Sequence, residues 1–101
     1  MSAKKLPDDG GSMTREFVLT NKLGLHLRPA AVFVKVASGF RCDIFVTKDQ
    51  EKVNGKSIMG LLMLGVGPGN KMKVQAEGSD APQALAALEK IFHPDHEFNN
   101  V

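Results

Sequence analysis

A chain of 101 residues, 43% of them apolar, can close one hydrophobic core without disulfide or metal staples, and its single cysteine, Cys42, excludes an internal bridge and fits a reducing compartment. A net charge of +2 and the absence of Trp and Tyr argue against nucleic acid as a partner. No run approaches the roughly 20 apolar residues of a membrane span, and residues 1–9 lack the apolar stretch of a signal peptide, so a cytoplasmic chain with no membrane attachment is expected.

In chain order, residues 1–13 are polar, carry Pro7, Gly10, Gly11 and the pair Asp8-Asp9, and are expected to form a flexible N-terminal extension. Arg15 to Thr20 reads as a strand with Phe17 and Leu19 on one face. Asn21 to Gly24 breaks that pattern. From Leu27 to Ser38 the chain is rich in Ala, Val and Phe and is followed by Gly39, which predicts a helix starting at or near His26 and ending at a C-terminal glycine. Pro29 is compatible with a first turn, where a missing N–H has no intrahelical acceptor to lose. Cys42 to Lys48 alternates Ile44 and Val46 against Phe45 and Thr47, and Lys48-Asp49-Gln50 predicts a turn into a brief strand ending near Val53.

Ser57 heads the apolar run Ile58 to Leu64, a place where its hydroxyl can cap a short helix. The glycines of residues 65–69 stop that helix, and Lys71 to Glu77 alternates Met72, Val74 and Ala76 against Lys73, Gln75 and Glu77 as a one-sided strand. Asp80 to Gln83 has the form of a capping box, with Leu85, Leu88 and Ile91/Phe92 following at helical spacing until His93-Pro94. A frayed tail is expected over 94–101. The order βαββαβα predicts an α+β fold, one antiparallel sheet with its helices packed on a single face.

The chemistry concentrates at two predicted helix starts. An anion at His26 would meet unpaired N–H groups and a partial positive charge, with Arg28 adding a planar donor suited to phosphate oxygens. Imidazole can act as nucleophile and as leaving group near neutral pH, which a transferable phosphoryl group requires. On spacing alone, a surface cap without chemistry is the commoner meaning of a lone histidine. Ser57, preceded by Lys56, repeats the geometry, and a phosphate there would be favoured by the same helix polarity, although a plain cap accounts for it equally. Leu61 and Leu64 can face the core together, leaving members of Ile58, Met59, Leu62 and Met63 toward solvent, either as a partner surface or as further packing.

Other motifs fail. Gly55-Lys56-Ser57 ends like a phosphate-binding loop, but the earlier glycine would fall at Gln50. The glycines at 65, 67 and 69 lack dinucleotide-binding spacing. His93, Asp95 and His96 lie in the expected tail without supporting residues, so no metal or cofactor is expected, and Cys42 is assigned no role.

Residues 21–30 (Asn-Lys-Leu-Gly-Leu-His-Leu-Arg-Pro-Ala) and 53–69 (Val-Asn-Gly-Lys-Ser-Ile-Met-Gly-Leu-Leu-Met-Leu-Gly-Val-Gly-Pro-Gly) resemble the HPr phosphocarrier family of the bacterial phosphotransferase system, the likeness covering about residues 14–92. The resemblance implies a domain over 14–93 with an open-faced β-sandwich, a four-stranded antiparallel sheet covered on one face by three helices. It implies that His26 takes phosphate, derived from phosphoenolpyruvate, from enzyme I and passes it to an enzyme IIA. Arg28 and Pro29 match active-site residues, and Ser57 matches the serine modified by HPr kinase/phosphorylase. Leu27, Lys56, Ile58, Met59, Leu62 and Met63 become the expected docking surface of a monomer. Leu27 departs from the smaller residue common after the histidine, and residues 21–24 are similar to the nitrogen-related branch of the family. A second reading is a regulatory protein acting mainly through Ser57 and docking on a transcription regulator.

Overall fold

The computed structural model describes residues 12–92, which run through β1 (Ser12–Val18), α1 (Leu27–Ala37), β2 (Asp43–Lys48), β3 (Glu51–Asn54), α2 (Ile58–Leu64), β4 (Lys71–Glu77) and α3 (Ala81–Ile91). The strands form one sheet in the order β1-β4-β2-β3, every neighbouring pair antiparallel. Alternation decides which side of that sheet is dry. Phe17, Ile44, Val46, Met72, Val74 and Ala76 point into the core, where Phe33, Leu61, Leu85 and Leu88 of the three helices meet them. Glu16, Thr47, Lys73 and Gln75 occupy the intervening positions on the other face, which stays open, and Lys52 holds its ammonium 4.5 Å from the centre of the Phe45 ring. The α+β architecture expected from sequence, three helices on one face of a four-stranded antiparallel sheet, is therefore the one observed. Among the described residues no helix is long and apolar enough to cross a membrane.

Several boundaries move, each for a tertiary reason. β1 was expected over 15–20, but it starts at Ser12 because all seven residues of β4 find partners on it, from Ser12 opposite Glu77 to Val18 opposite Lys71. Ser12 and Met13 thus belong to the sheet and not to the extension expected over 1–13. Residues 1–11, the tail 94–101, and His93 and His96 lie outside the described residues. Gly39 does not take the left-handed conformation of a C-cap, and Ser38 ends α1 in right-handed geometry with its N–H donating to the Val34 carbonyl. Gly65, the first of the glycines expected to stop α2, ends that helix in the left-handed region, with φ +69 and ψ 41.

The Asp80 capping box does not form. Asp80 makes no side-chain bond to the first turn of α3, where Pro82 offers no N–H and that of Gln83 is left unused. The Asp80 carboxylate instead accepts hydrogen bonds from the backbone N–H groups of Arg41 (2.8 Å) and Cys42 (2.9 Å), tying α3 to the chain entering β2. At the other end of α3, Phe92 stacks on Phe17 with ring centroids 5.3 Å apart, holding the helix over β1.

Candidate functional site

The loop from Leu19 to His26 decides where α1 begins. Leu19 still joins the sheet region through Gly69, whose N–H donates to the Leu19 carbonyl at 2.6 Å. Residues 21–24 then close a tight turn, the Gly24 N–H donating to the Asn21 carbonyl at 3.3 Å. Gly24 adopts φ +68, and a Cβ there would stand 2.5 Å from the Val66 carbonyl oxygen, so both conformation and space require glycine. Leu25 is pinned next, its N–H donating to that same Val66 carbonyl at 2.8 Å. The segment leading into α1 is thereby fastened to the segment leaving α2.

His26 follows as the residue flanking the helix, with extended backbone (φ −96, ψ −170), and its carbonyl accepts the first helical bond from Ala30 at 3.0 Å. Its imidazole makes no capping hydrogen bond and is half-buried. The backbone N–H groups of Leu27 and Arg28 find no acceptor among the described residues, and Pro29, the third helical position, has none to offer. The first turn contains no acidic residue, and the exposed Arg28 guanidinium makes no ion pair among the described residues. Pro29 is fully buried, so it anchors the turn while Leu27, 61% exposed, projects beside the histidine. Two vacant donors, the positive end of an eleven-residue helix and a guanidinium without an ion pair among the described residues thus fall within two positions of one nucleophilic ring. Such an arrangement can hold an anionic group covalently carried on that ring.

The second predicted helix start is built differently. The Ser57 hydroxyl accepts from the Gly60 N–H at 3.0 Å, an N-cap of the kind expected. Lys56 is less available than expected for a docking residue. Half-buried, it reaches across to donate from Nζ to the Phe40 carbonyl at 2.8 Å. On α2, Leu61 and Leu64 face the core and Met59 and Met63, 67% and 73% exposed, form a solvent-facing pair one turn apart. Ile58 lies at the margin of that pair, whereas Leu62 is half-buried and packs against the core. Of the six residues expected to form a docking surface, Leu27, Ile58, Met59 and Met63 are exposed, while Lys56 and Leu62 are half-buried and also serve the fold.

Three polar contacts here were not anticipated from sequence. The Lys48 ammonium donates to the Gly65 carbonyl at 3.0 Å, satisfying the C-terminal end of α2. Cys42 is buried against Asp80, and burial together with that carboxylate pushes its thiol up to about 11. Asp80 itself is held below the usual carboxylate range, chiefly by the Arg41 N–H. Asn21, the buried polar side chain of the core, donates from Nδ2 to the Gly24 carbonyl at 2.8 Å. The Asn-x-x-Gly spacing was a signal for that turn, though not for the burial.

Comparison with known proteins agrees with this geometry. Residues 13–93 match the family described as PTS HPr component phosphorylation site. Over 75 residues the chain is 41% identical to the phosphocarrier protein HPr of Neisseria meningitidis, covering 74% of this chain and 84% of that protein. It is 49% identical over 67 residues to the HPr-like protein Crh of Halalkalibacterium halodurans, covering 66% of this chain and 80% of that one. The crystal structure of HPr-C-His from Thermoanaerobacter tengcongensis superposes with a TM-score of 0.78 at 48% identity, spanning 81% of this chain and 92% of that chain. Sheet order, the helix start at His26 and the matched span together show that the chain belongs to the HPr phosphocarrier family of the phosphotransferase system.

Proposed function

We propose that this chain is a cytoplasmic histidine phosphocarrier that accepts a phosphoryl group from enzyme I on His26 and delivers it to an enzyme IIA. The observation that carries the reading is the start of α1, where, among the described residues, an imidazole without a hydrogen bond is followed by two vacant backbone donors and an Arg28 without an ion pair. A ring nitrogen lone pair attacks the phosphorus, the bond from phosphorus to enzyme I breaks with its electron pair going to the donor, and the new P–N bond forms on His26. Arg28 and the vacant N–H groups stabilise the charge on the phosphoryl oxygens. They do not hold the phosphate through a bond of their own, so it remains transferable. Pro29 sets the turn that aims these donors.

The test is incubation with phosphoenolpyruvate and enzyme I. An acid-labile, base-stable adduct is expected on the wild-type chain and none on His26→Ala; an adduct surviving in the variant overturns the assignment.

Ser57 supports a second, regulatory role alongside the first. The half-buried Ser57 stands at the start of α2, where an added phosphate would meet the partial positive charge of the helix end. In this reading HPr kinase/phosphorylase adds phosphate from ATP to Ser57, and the modified chain docks on a transcription regulator through the open side of α2. An ATP-dependent, acid-stable adduct lost in Ser57→Ala, on a chain whose His26 does not transfer, would make regulation the main function.

A further inference from the structure

Asn21 is 3% exposed, and it is the polar residue among the buried side chains of the described chain. Its amide is committed on one side only. Nδ2 donates to the Gly24 carbonyl, whereas Oδ1, equally buried, receives no hydrogen bond from the described residues. Rotating the amide would not help, because it would turn Oδ1 onto the Gly24 oxygen and set two acceptors face to face. A buried amide satisfied at one end is costly, and an apolar side chain would fill the same place without that cost.

What the remaining hydrogen bond holds explains the arrangement. The Gly24 carbonyl accepts from Asn21 Nδ2 and also from the His26 backbone N–H, at 3.1 Å. One oxygen therefore joins the buried amide to the backbone of the residue that carries the imidazole. Gly24 lies close against the Val66–Gly67 backbone, where an added Cβ would stand 2.5 Å from the Val66 oxygen, so there is little space for it to move that way. The peptide plane that bears the carbonyl is held at its other end by the Leu25 N–H on the Val66 carbonyl, so losing the amide leaves it one anchor about which it can pivot, moving the acceptor of the His26 N–H.

We infer that Asn21 is a positioning residue for phosphoryl transfer, acting through the Gly24 carbonyl to fix the backbone of His26 against the vacant donors of α1. The inference rests on the assignment of transfer to His26. Misplacing a reacting group by a fraction of its optimum slows the chemical step without weakening partner docking, because the docking surface on Leu27, Met59 and Met63 is untouched.

The experiment is single-turnover transfer from phosphorylated enzyme I to Asn21→Ala and Asn21→Asp, well below the melting temperature of each. Both variants are expected to transfer about tenfold more slowly at saturating enzyme I, with half-saturating concentrations within about twofold of wild type. Asn21→Asp separates the roles, since it keeps the size of asparagine while its carboxylate cannot donate to Gly24. Hydrogen exchange at the His26 amide should accelerate in both. Folded variants that transfer at the wild-type rate, or whose loss lies wholly in half-saturation, overturn the inference, and Asn21→Ser supplies the same comparison if the alanine variant does not fold. The parent assignment fails separately: an adduct persisting in His26→Ala removes it, whereas the exchange rate of the His26 amide still reports whether Asn21 holds the loop.

Discussion

The starts of α1 and α2 are alike in sequence and opposite in state. Each follows a turn and carries a basic residue within two positions of the residue that flanks the helix. At α2 the flanking side chains are engaged, with Ser57 accepting from Gly60 and Lys56 donating to Phe40, although the Ile58 and Met59 N–H groups find no acceptor among the described residues, like their counterparts in α1. At α1 the imidazole makes no cap, two N–H groups stand vacant and Arg28 has no partner among the described residues. The Ser57 cap contributes to folding, while the α1 start forgoes a cap and leaves its imidazole and guanidinium uncommitted. A helix end whose flanking side chains are engaged is a structural joint, and one whose flanking side chains are idle is a candidate site.

The sharpest way to break this contrast is to remove the unpaired cation. Arg28→Ala should slow phosphoryl transfer about ten- to hundredfold, the range expected for losing one charge-stabilising donor, and leave the melting temperature almost unchanged; a variant that melts early and transfers normally would invert the comparison. Ser57→Ala should show the reverse pattern, costing about 1 kcal/mol of stability in urea titration for the lost cap, with transfer through His26 intact. Leu27→Ala removes an exposed side chain beside the site. It is expected to alter half-saturation for one partner a few-fold without changing the rate at saturation, as a rim contact does. A separate effect, confined to alkaline pH, is a slope at the third helix start, where Asp80 is spent on another segment. The Cys42 thiol beside it is raised from 9.0 to about 11 in the fold, so the unfolded chain ionises first. The stability this neutral thiol contributes is complete below pH 9.0 and is lost as pH rises through about 11, and Cys42→Ala should flatten urea midpoints across that window.

Local rules reached the elements whose patterning is local. The alternation of Met72, Val74 and Ala76 foretold the buried face of β4, and the spacing of Leu61 and Leu64 foretold that of α2, because side-chain direction follows backbone period whatever lies opposite. The candidate site was legible for a related reason: His26, Arg28 and Pro29 sit within four consecutive positions, and the first turn of a helix defines their relation. Features that join distant segments were not legible. The full length of β1 depends on β4, about sixty residues away. The side chains of Asp80, Lys48 and Lys56 have ordinary local roles open to them, and only the packed chain shows which backbone group each reaches. Asn21 belongs with them, since a turn asparagine is normally at the surface and its burial depends on how loop and core meet.

The seven-residue length of α2 has one more result. Such a helix is about 10 Å long, whereas a typical protein partner covers about 800 Å² of each surface, a patch roughly 30 Å across. A protein seated on Met59 and Met63 would therefore overlie both ends of α2, the capped end at Ser57 and the end fastened to the His26 loop through Val66. Two proteins that both seated on Met59 and Met63 would have no room to bind at once, so on the proposed reading one would have to leave before the next could arrive.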